Sequence, residues 1–394
     1  MTTFSDASQP VPDTGGGPLR GLRVVELAGI GPGPYAAMLL ADMGAEVVRI
    51  ERPGDGGDGG MALTDVTRRG RKSVILDLRH PEGIRTVLRL VEQADVLIEG
   101  FRPGVTERLG VGPEECRAAN PRLVYGRMTG WGQDGPLAQT AGHDLGYIAL
   151  TGALGAMGRP GEAPAPPLNV VGDFGGGSTF LVIGILAAVW EAQRSGRGQV
   201  VDAAIVDGTS SLTGLLHGMM ASNLWHDRRG VNMLDGGLPW YDTYATSDDG
   251  YMAVGALEPK FYAEFSALIG LTEEAAQRDD PAMWPRLRES IAARFASRTR
   301  AEWTEVFDGT DACVAPVLSL SEAAQHPHLA ARQTFVEVGG VMQPAPAPRF
   351  SRTRSPMPEA PPVIGVHTRN VLESWGLKDV EVDALLAAGA AIQG

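Results

Sequence analysis

Apolar runs alternating with helix-forming stretches fill the first 130 residues, and this alternation constrains the fold more than any other feature. Residues 22–27, 47–50, 73–78, 95–99 and 122–129 read as strands, while 34–43, stopped by Gly44, and 81–94 read as helices. Strands that stay apolar along their length are buried on both faces, and helical crossovers between them impose a parallel sheet covered on both sides. Helices over 179–194 and 203–220 extend the layer, so the predicted class is α/β. After Gly236-Gly237 the texture changes. A hairpin over 241–256, a helix over 259–268, a helix over 299–307 opened by the capping box Thr299-x-x-Glu302, and a strand over 313–318 suggest a smaller α+β domain. A proline-rich connector, 343–362, leads to two short helices near 368–375 and 379–388.

At 394 residues, 43% hydrophobic and 21% charged, the chain has ample core for two domains. We expect a flexible tail over 1–17, a large domain over 18–222 completed by 345–394, and the small domain over 223–344. A net charge of −13 argues against nucleic-acid binding. Cys116 and Cys313 have neither a disulfide framework nor metal-ligand spacing, which points to a reducing cytoplasm and no metal. The tail lacks the apolar segment of a signal peptide, and residues 179–190 fall short of the roughly 20 that a membrane span needs, so no membrane association is expected.

Two features of the first domain suggest a ligand. Gly31-Pro32-Gly33-Pro34-Tyr35-Ala36 follows the first strand and fits the dinucleotide-binding pattern G-x-G-x-x-G/A, with Glu51 placed as the ribose acid. Pro32 and Pro34 remove N–H donors a pyrophosphate needs, so a tight turn entering a helix is the preferred reading. Arg52, Arg68, Arg69, Arg71, Lys72 and Arg79, with Arg102 and Arg108 beyond, form a basic region in an acidic chain. At the C-terminal ends of parallel strands it suits a multiply phosphorylated ligand such as coenzyme A.

The stretch 142–177 carries the chemistry. It opens with Gly142-His143-Asp144-Leu145-Gly146-Tyr147 and closes with Asp173-Phe174-Gly175-Gly176-Gly177, with a turn-rich segment between. Residues 179–190 read as a buried helix, which puts Asp173 and the glycines at its N-terminus, where unpaired N–H groups and the helix dipole favour negative charge. A His, a carboxylate and free donors meeting at one spot suit proton abstraction beside a carbonyl. The ordinary role for Asp173 is a helix N-cap, and Glu258 before Pro259 reads as a cap as well.

These residues resemble the family III CoA-transferases. The segments Leu22-Arg23-Val24-Val25-Glu26-Leu27 and Ala41-Asp42-Met43-Gly44-Ala45-Glu46-Val47-Val48-Arg49 match the family's opening. More particular matches, to the α-methylacyl-CoA racemase branch, are Gly142-His143-Asp144, the run from Pro167 to Gly177, Asn232-Met233-Leu234-Asp235-Gly236-Gly237, the run from Val254 to Tyr262, and Gly309-Thr310-Asp311-Ala312-Cys313-Val314. The resemblance spans about 19–365. It implies a Rossmann-like large domain with a smaller α+β domain, in an interlocked homodimer whose active sites lie at the subunit interface. It implies racemisation of 2-methylacyl-CoA thioesters by proton transfer through an enolate, with coenzyme A entering as part of the substrate and no separate cofactor. His143 and Asp173 match the two acid/base residues. Glu258 matches a carboxylate reaching the His from the other subunit. Asp144 stands where the transferases carry their nucleophile. Arg52, Arg108 and the stretch 76–79, with Leu76, Asp77 and Arg79, match CoA-contacting positions, with Gly142 and Tyr147 at the thioester end, and Arg102 of the basic region joins them as a CoA-binding candidate. Gly146 departs from the pattern, which has Asn there. The rival activity is CoA transfer between an acyl-CoA and a free acid.

Overall fold

The computed structural model describes residues 16–54, 61–271 and 274–394. Most of the predicted tail therefore lies outside the described residues. Two compact units make up the described chain, one of residues 16–150, 169–212 and 330–394, the other of 151–168 and 213–329.

The first unit is built on a seven-stranded sheet. Its parallel strands are β1 (Arg23–Leu27), β2 (Glu46–Glu51), β3 (Arg71–Leu76), β4 (Val96–Glu99), β5 (Val124–Thr129) and β6 (Val200–Ala204). The order is β3-β2-β1-β4-β5-β6, and a short antiparallel strand, Ala391–Ile392, is added beside β3. Helices α1 (Pro32–Asp42) and α2 (Pro81–Val91) are crossovers, as the sequence predicts. Val24, Val47, Val96 and Val124 point to the face that α1 covers with Ala36, Ala37 and Leu40. Val25, Val48, Val74 and Leu97 point to the other face, where Val87 and Leu90 of α2 meet Trp375 and Leu372. Burial on both faces is why these strands read as unbroken apolar runs.

The structure departs from the sequence reading in three places. Residues 203–220 are not one helix. The end of β6 runs directly into α5 (Ile205–Leu212), which a separate helix, Gly214–Ala221, follows. α3 is Asp144–Leu150 and α4 is Thr179–Ser195, and α4 is continuous with a π-helical turn over Val171–Ser178. The whole run Leu168–Ser195 is long and apolar enough, by length and composition alone, to cross a membrane, which corrects the shorter measure taken from 179–190. Leu181, Val182, Ile185 and Ala188 of α4 are core residues. Third, strands Phe335–Val338 and Val341–Pro344 form a hairpin at the start of the expected connector.

The second unit holds the antiparallel sheet β7 (Tyr241–Ala245), β8 (Tyr251–Gly255) and β9 (Val314–Pro316). α6 (Pro259–Leu268), α7 (Trp284–Phe295) and α8 (Arg300–Phe307) pack their aromatic residues around Phe265 and Phe295. The predicted capping box of α8 is formed by Thr299 and Glu302.

Candidate active site

In the order β3-β2-β1-β4-β5-β6 the chain reverses direction at β1. Connections leave β1 and β4 toward opposite sides of the sheet and open a crevice at their C-terminal ends. A cavity of about 520 Å³ occupies that crevice. Residues 29–34 after β1, 100–103 after β4 and 129–131 at the end of β5 line it, together with Gly142, His143, Asp144, Tyr147 and Asp173. Such a volume suits a small-molecule group.

The floor is a set of buried ion pairs. Glu26 of β1 stands opposite Arg49 of β2 in register, and both are nearly inaccessible. Arg49 and Arg71 both pair with the Glu26 carboxylate. Burial pushes Glu26 up, but the two guanidiniums outweigh it and hold the carboxyl below its usual range. The same guanidiniums donate to the loop above: Arg49 Nη2 to Gly29 O at 3.0 Å, and Arg71 Nη2 to Pro34 O. Ser178 Oγ donates to Pro32 O at 2.7 Å. Gly31 turns the loop at φ 72°, ψ −124°, a conformation open to glycine.

This network excludes the dinucleotide site that the prolines already disfavour, and it overturns the phosphate reading of the basic region. Glu51 is no ribose acid. It is 2% exposed and accepts from Arg49 Nε at 3.1 Å and Arg68 Nη2 at 2.6 Å. Most of the basic region is no phosphate site either. Arg68, Arg69 and Arg71 are buried against Glu51, Asp42 and Glu26, and Lys72 pairs with Glu46 at 2.7 Å. Leu76 presents no side chain to a ligand, because it lies wholly in the core. Asp77 accepts from the backbone N–H of Arg79 at 2.9 Å. Arg52, Arg79, Arg102 and Arg108 remain exposed, with Arg102 on the cavity wall and Arg52 5.9 Å from the centre of the Phe101 ring.

The wall beside His143 is set by a tyrosine ring. Tyr147 stands edge-on to Trp131 at 4.7 Å. A Cβ on Gly130 would lie 2.0 Å from Tyr147 Cζ, and one on Gly142 2.5 Å from Cε1, so both positions need glycine for close approach. Gly142 therefore serves packing here. His143 precedes α3 and accepts on its carbonyl from the N–H groups of Gly146 (2.8 Å) and Tyr147 (3.2 Å). The amides of Asp144 and Leu145 thus come before the first bond of the helix. Gly146 faces open space.

Asp173 lines the same cavity. Its backbone N–H donates to Asp144 Oδ1 at 2.7 Å. Burial, then the charge of Asp144, pushes its carboxyl above the usual range, against a hydrogen bond from Asn169 and the nearby His143. Burial, then Asp173, likewise raises the Tyr147 phenol. Phe174 stacks on Tyr35 at 4.3 Å.

The structure corrects the expected helix terminus. Asp173 is not an N-cap, since the π-helical turn begins after Val170, and Gly175, Gly176 and Gly177 lie within a continuous helix. Their glycines serve packing. A Cβ on Gly176 would meet Thr209 Oγ1 of α5 at 2.3 Å, and one on Gly177 would meet Ile205 at 3.0 Å. Glu258 belongs to the second unit, at the N-cap of α6, yet its side chain makes no cap bond and is exposed.

The sequence reading missed Glu26, Arg49, Glu99 and Arg127. Glu26 and Glu99 line the cavity, and Arg127 pairs with Glu99 at 2.9 Å. A charge in the middle of an apolar strand was the available signal. Among the described residues no group of three or more His, Cys, Asp and Glu is placed to hold a metal ion. The arrangement puts a histidine and a carboxylate of different chemistry on one cavity, which suits proton transfer at carbon beside a carbonyl.

Residues 19–368 match the model of CoA-transferase family III. The chain is 47% identical to alpha-methylacyl-CoA racemase of Mus musculus, over 92% of the chain and 95% of the relative, and 44% identical to that of Homo sapiens over the same shares. Among solved structures, a CAIB/BAIF family protein from Brucella suis superposes with a TM-score of 0.79 at 26% identity, covering 91% of this chain and all of the other.

Proposed function

The chain belongs to CoA-transferase family III, and from that premise we propose that it acts as an α-methylacyl-CoA racemase, interconverting the 2R and 2S forms of a 2-methylacyl-CoA. The observation that carries this reading is the placing of His143 and Asp173 on one cavity. Similarity to two racemases over nearly the full chain supports it.

One base removes the C2 proton, and the thioester carbonyl takes up the charge as an enolate. The Asp144 amide, on the cavity at the start of α3, is the donor for that oxygen, a stabilisation of about 2.7–4 kcal/mol. The other base, as its conjugate acid, returns a proton to the opposite face. Each contributes on the order of 10²–10⁴ in rate. The raised carboxyl of Asp173 suits it to exchange protons near neutrality better than an ordinary aspartate. Arg102 on the wall and the exposed Arg52, Arg79 and Arg108 hold the phosphates of coenzyme A, and Tyr147 borders the thioester.

An interlocked homodimer, in which Glu258 of one subunit orients His143 of the other, is supported by apolar side chains open to solvent. These are Ile183 and Trp190 on α4 and, in the second unit, Leu215 of a helix with no buried residue. A cytoplasmic location is supported by the exposed free thiol of Cys313.

Incubation of the protein with one enantiomer of a 2-methylacyl-CoA in deuterated water tests the function. The expected result is α-deuterium uptake with inversion. Absence of exchange, with coenzyme A passed to an added carboxylic acid, would make the protein a transferase.

A further inference from the structure

We propose that the Asp144 carboxylate is a positioning residue for Asp173, fixing the backbone that carries this base; the proposal rests on the racemase reading. In a transferase, the residue at this position would attack the thioester. Here its Oδ1 is occupied, accepting the Asp173 N–H at 2.7 Å. An acceptor that bears charge makes this a strong bond.

The neighbouring backbone is shaped around that contact. Gly172 is buried, and a Cβ placed on it would lie 2.3 Å from Asp144 Oδ1 and 2.7 Å from Ile148 Cγ2. Only glycine lets the carboxylate approach the Asp173 amide. A second tie holds the other end of the turn, where Ser178 Oγ donates to Asp173 O at 3.0 Å and to Pro32 O at 2.7 Å. Asp173 is thus pinned at its N–H by α3 and at its carbonyl by Ser178. Its side chain faces the loop after β1, with Oδ2 3.7 Å from the point a Gly31 Cβ would occupy.

His143 and Asp144 are adjacent in sequence, but this contact runs from Asp144 to Asp173. Asp144 therefore acts on one base rather than the other, and the two enantiomers of substrate report this separately. Each base exchanges the α-proton of the enantiomer whose proton it faces, so damage to one base spares exchange of the other enantiomer.

The experiment is deuterium uptake from each pure enantiomer by the full chain, in wild type, Asp173→Asn, Asp144→Ala, Asp144→Asn and Gly172→Ala. Asp173→Asn identifies the enantiomer that Asp173 serves. Asp144→Ala and Gly172→Ala are expected to slow exchange of that same enantiomer by roughly 10- to 100-fold, leaving the other within about threefold. Asp144→Asn keeps an oxygen acceptor and removes the charge. The groups facing Asp173 are then His143, Tyr147 and Asn169, so its carboxyl falls and the acid limb of its exchange moves to lower pH, with the rate retained. Equal loss for both enantiomers, or loss confined to the one His143 serves, would overturn the proposal. So would an acyl-enzyme trapped by hydroxylamine in wild type and absent in Asp144→Ala. No exchange by wild type would instead overturn the racemase reading on which the proposal rests.

Discussion

Asp173 sits in surroundings that disfavour its own charge. Burial and the neighbouring Asp144 both raise its carboxyl above the ordinary range, so folding takes up a proton that the unfolded chain would release. The sign follows. Below the ordinary aspartate value of about 3.9 both states are protonated and the group is neutral in its effect on stability. As pH rises past that value the ionised form costs the folded state free energy. Asp173→Asn is therefore expected to raise the thermal midpoint at pH 7 while abolishing one arm of catalysis, with the gain vanishing below about pH 4. An unchanged or lowered midpoint at pH 7 would count against this electrostatic account.

The strands owe the site's floor to charges placed inside apolar runs. Glu26, Arg49 and Arg71 come from three adjacent strands, and only the sheet brings them together. Removing Glu26 leaves the buried Arg71 without a carboxylate partner, while Arg49 keeps Glu51. Glu26→Gln is expected to cost about 3–5 kcal/mol, read as a lower urea midpoint; a loss under about 1 kcal/mol would show the cluster to be better solvated than its burial implies. This cluster also marks the limit of reading from sequence. The alternation of strand and helix was plain because both faces of the sheet are covered. The short strand Ala391–Ile392 and the partly exposed β6 lack that unbroken apolar character, so they were not seen. Arg68, Arg69 and Arg71 looked like a surface patch because linear spacing does not reveal what a side chain faces across the sheet. His143, Asp144 and Asp173 were legible as chemical types. The glycines after Asp173 were misread, since glycine opens a helix terminus and permits close helix packing alike, and Thr209 decides for packing.

At the scale of the molecule, the proposed homodimer would have each site draw on two polypeptides. His143 lies in the first unit, and Glu258 lies in the second with a carboxylate that caps nothing. If Glu258 serves the partner's His143, co-expressing His143→Ala with Glu258→Gln generates heterodimers with one intact site. Random assembly then restores about one quarter of wild-type activity, since half the dimers are mixed and one of their two sites is whole. No recovery above the separate variants would show that Glu258 acts within its own chain or not at all.

The central claim is that two bases of different chemistry face one α-carbon. Deuterium uptake from each pure enantiomer by His143→Ala and by Asp173→Asn tests it most directly. Neither variant is expected to invert configuration; each still exchanges one enantiomer with retention, and the enantiomer is opposite in the two. Loss of exchange from both enantiomers in one variant, with full activity in the other, would contradict it and leave a single base as the catalyst.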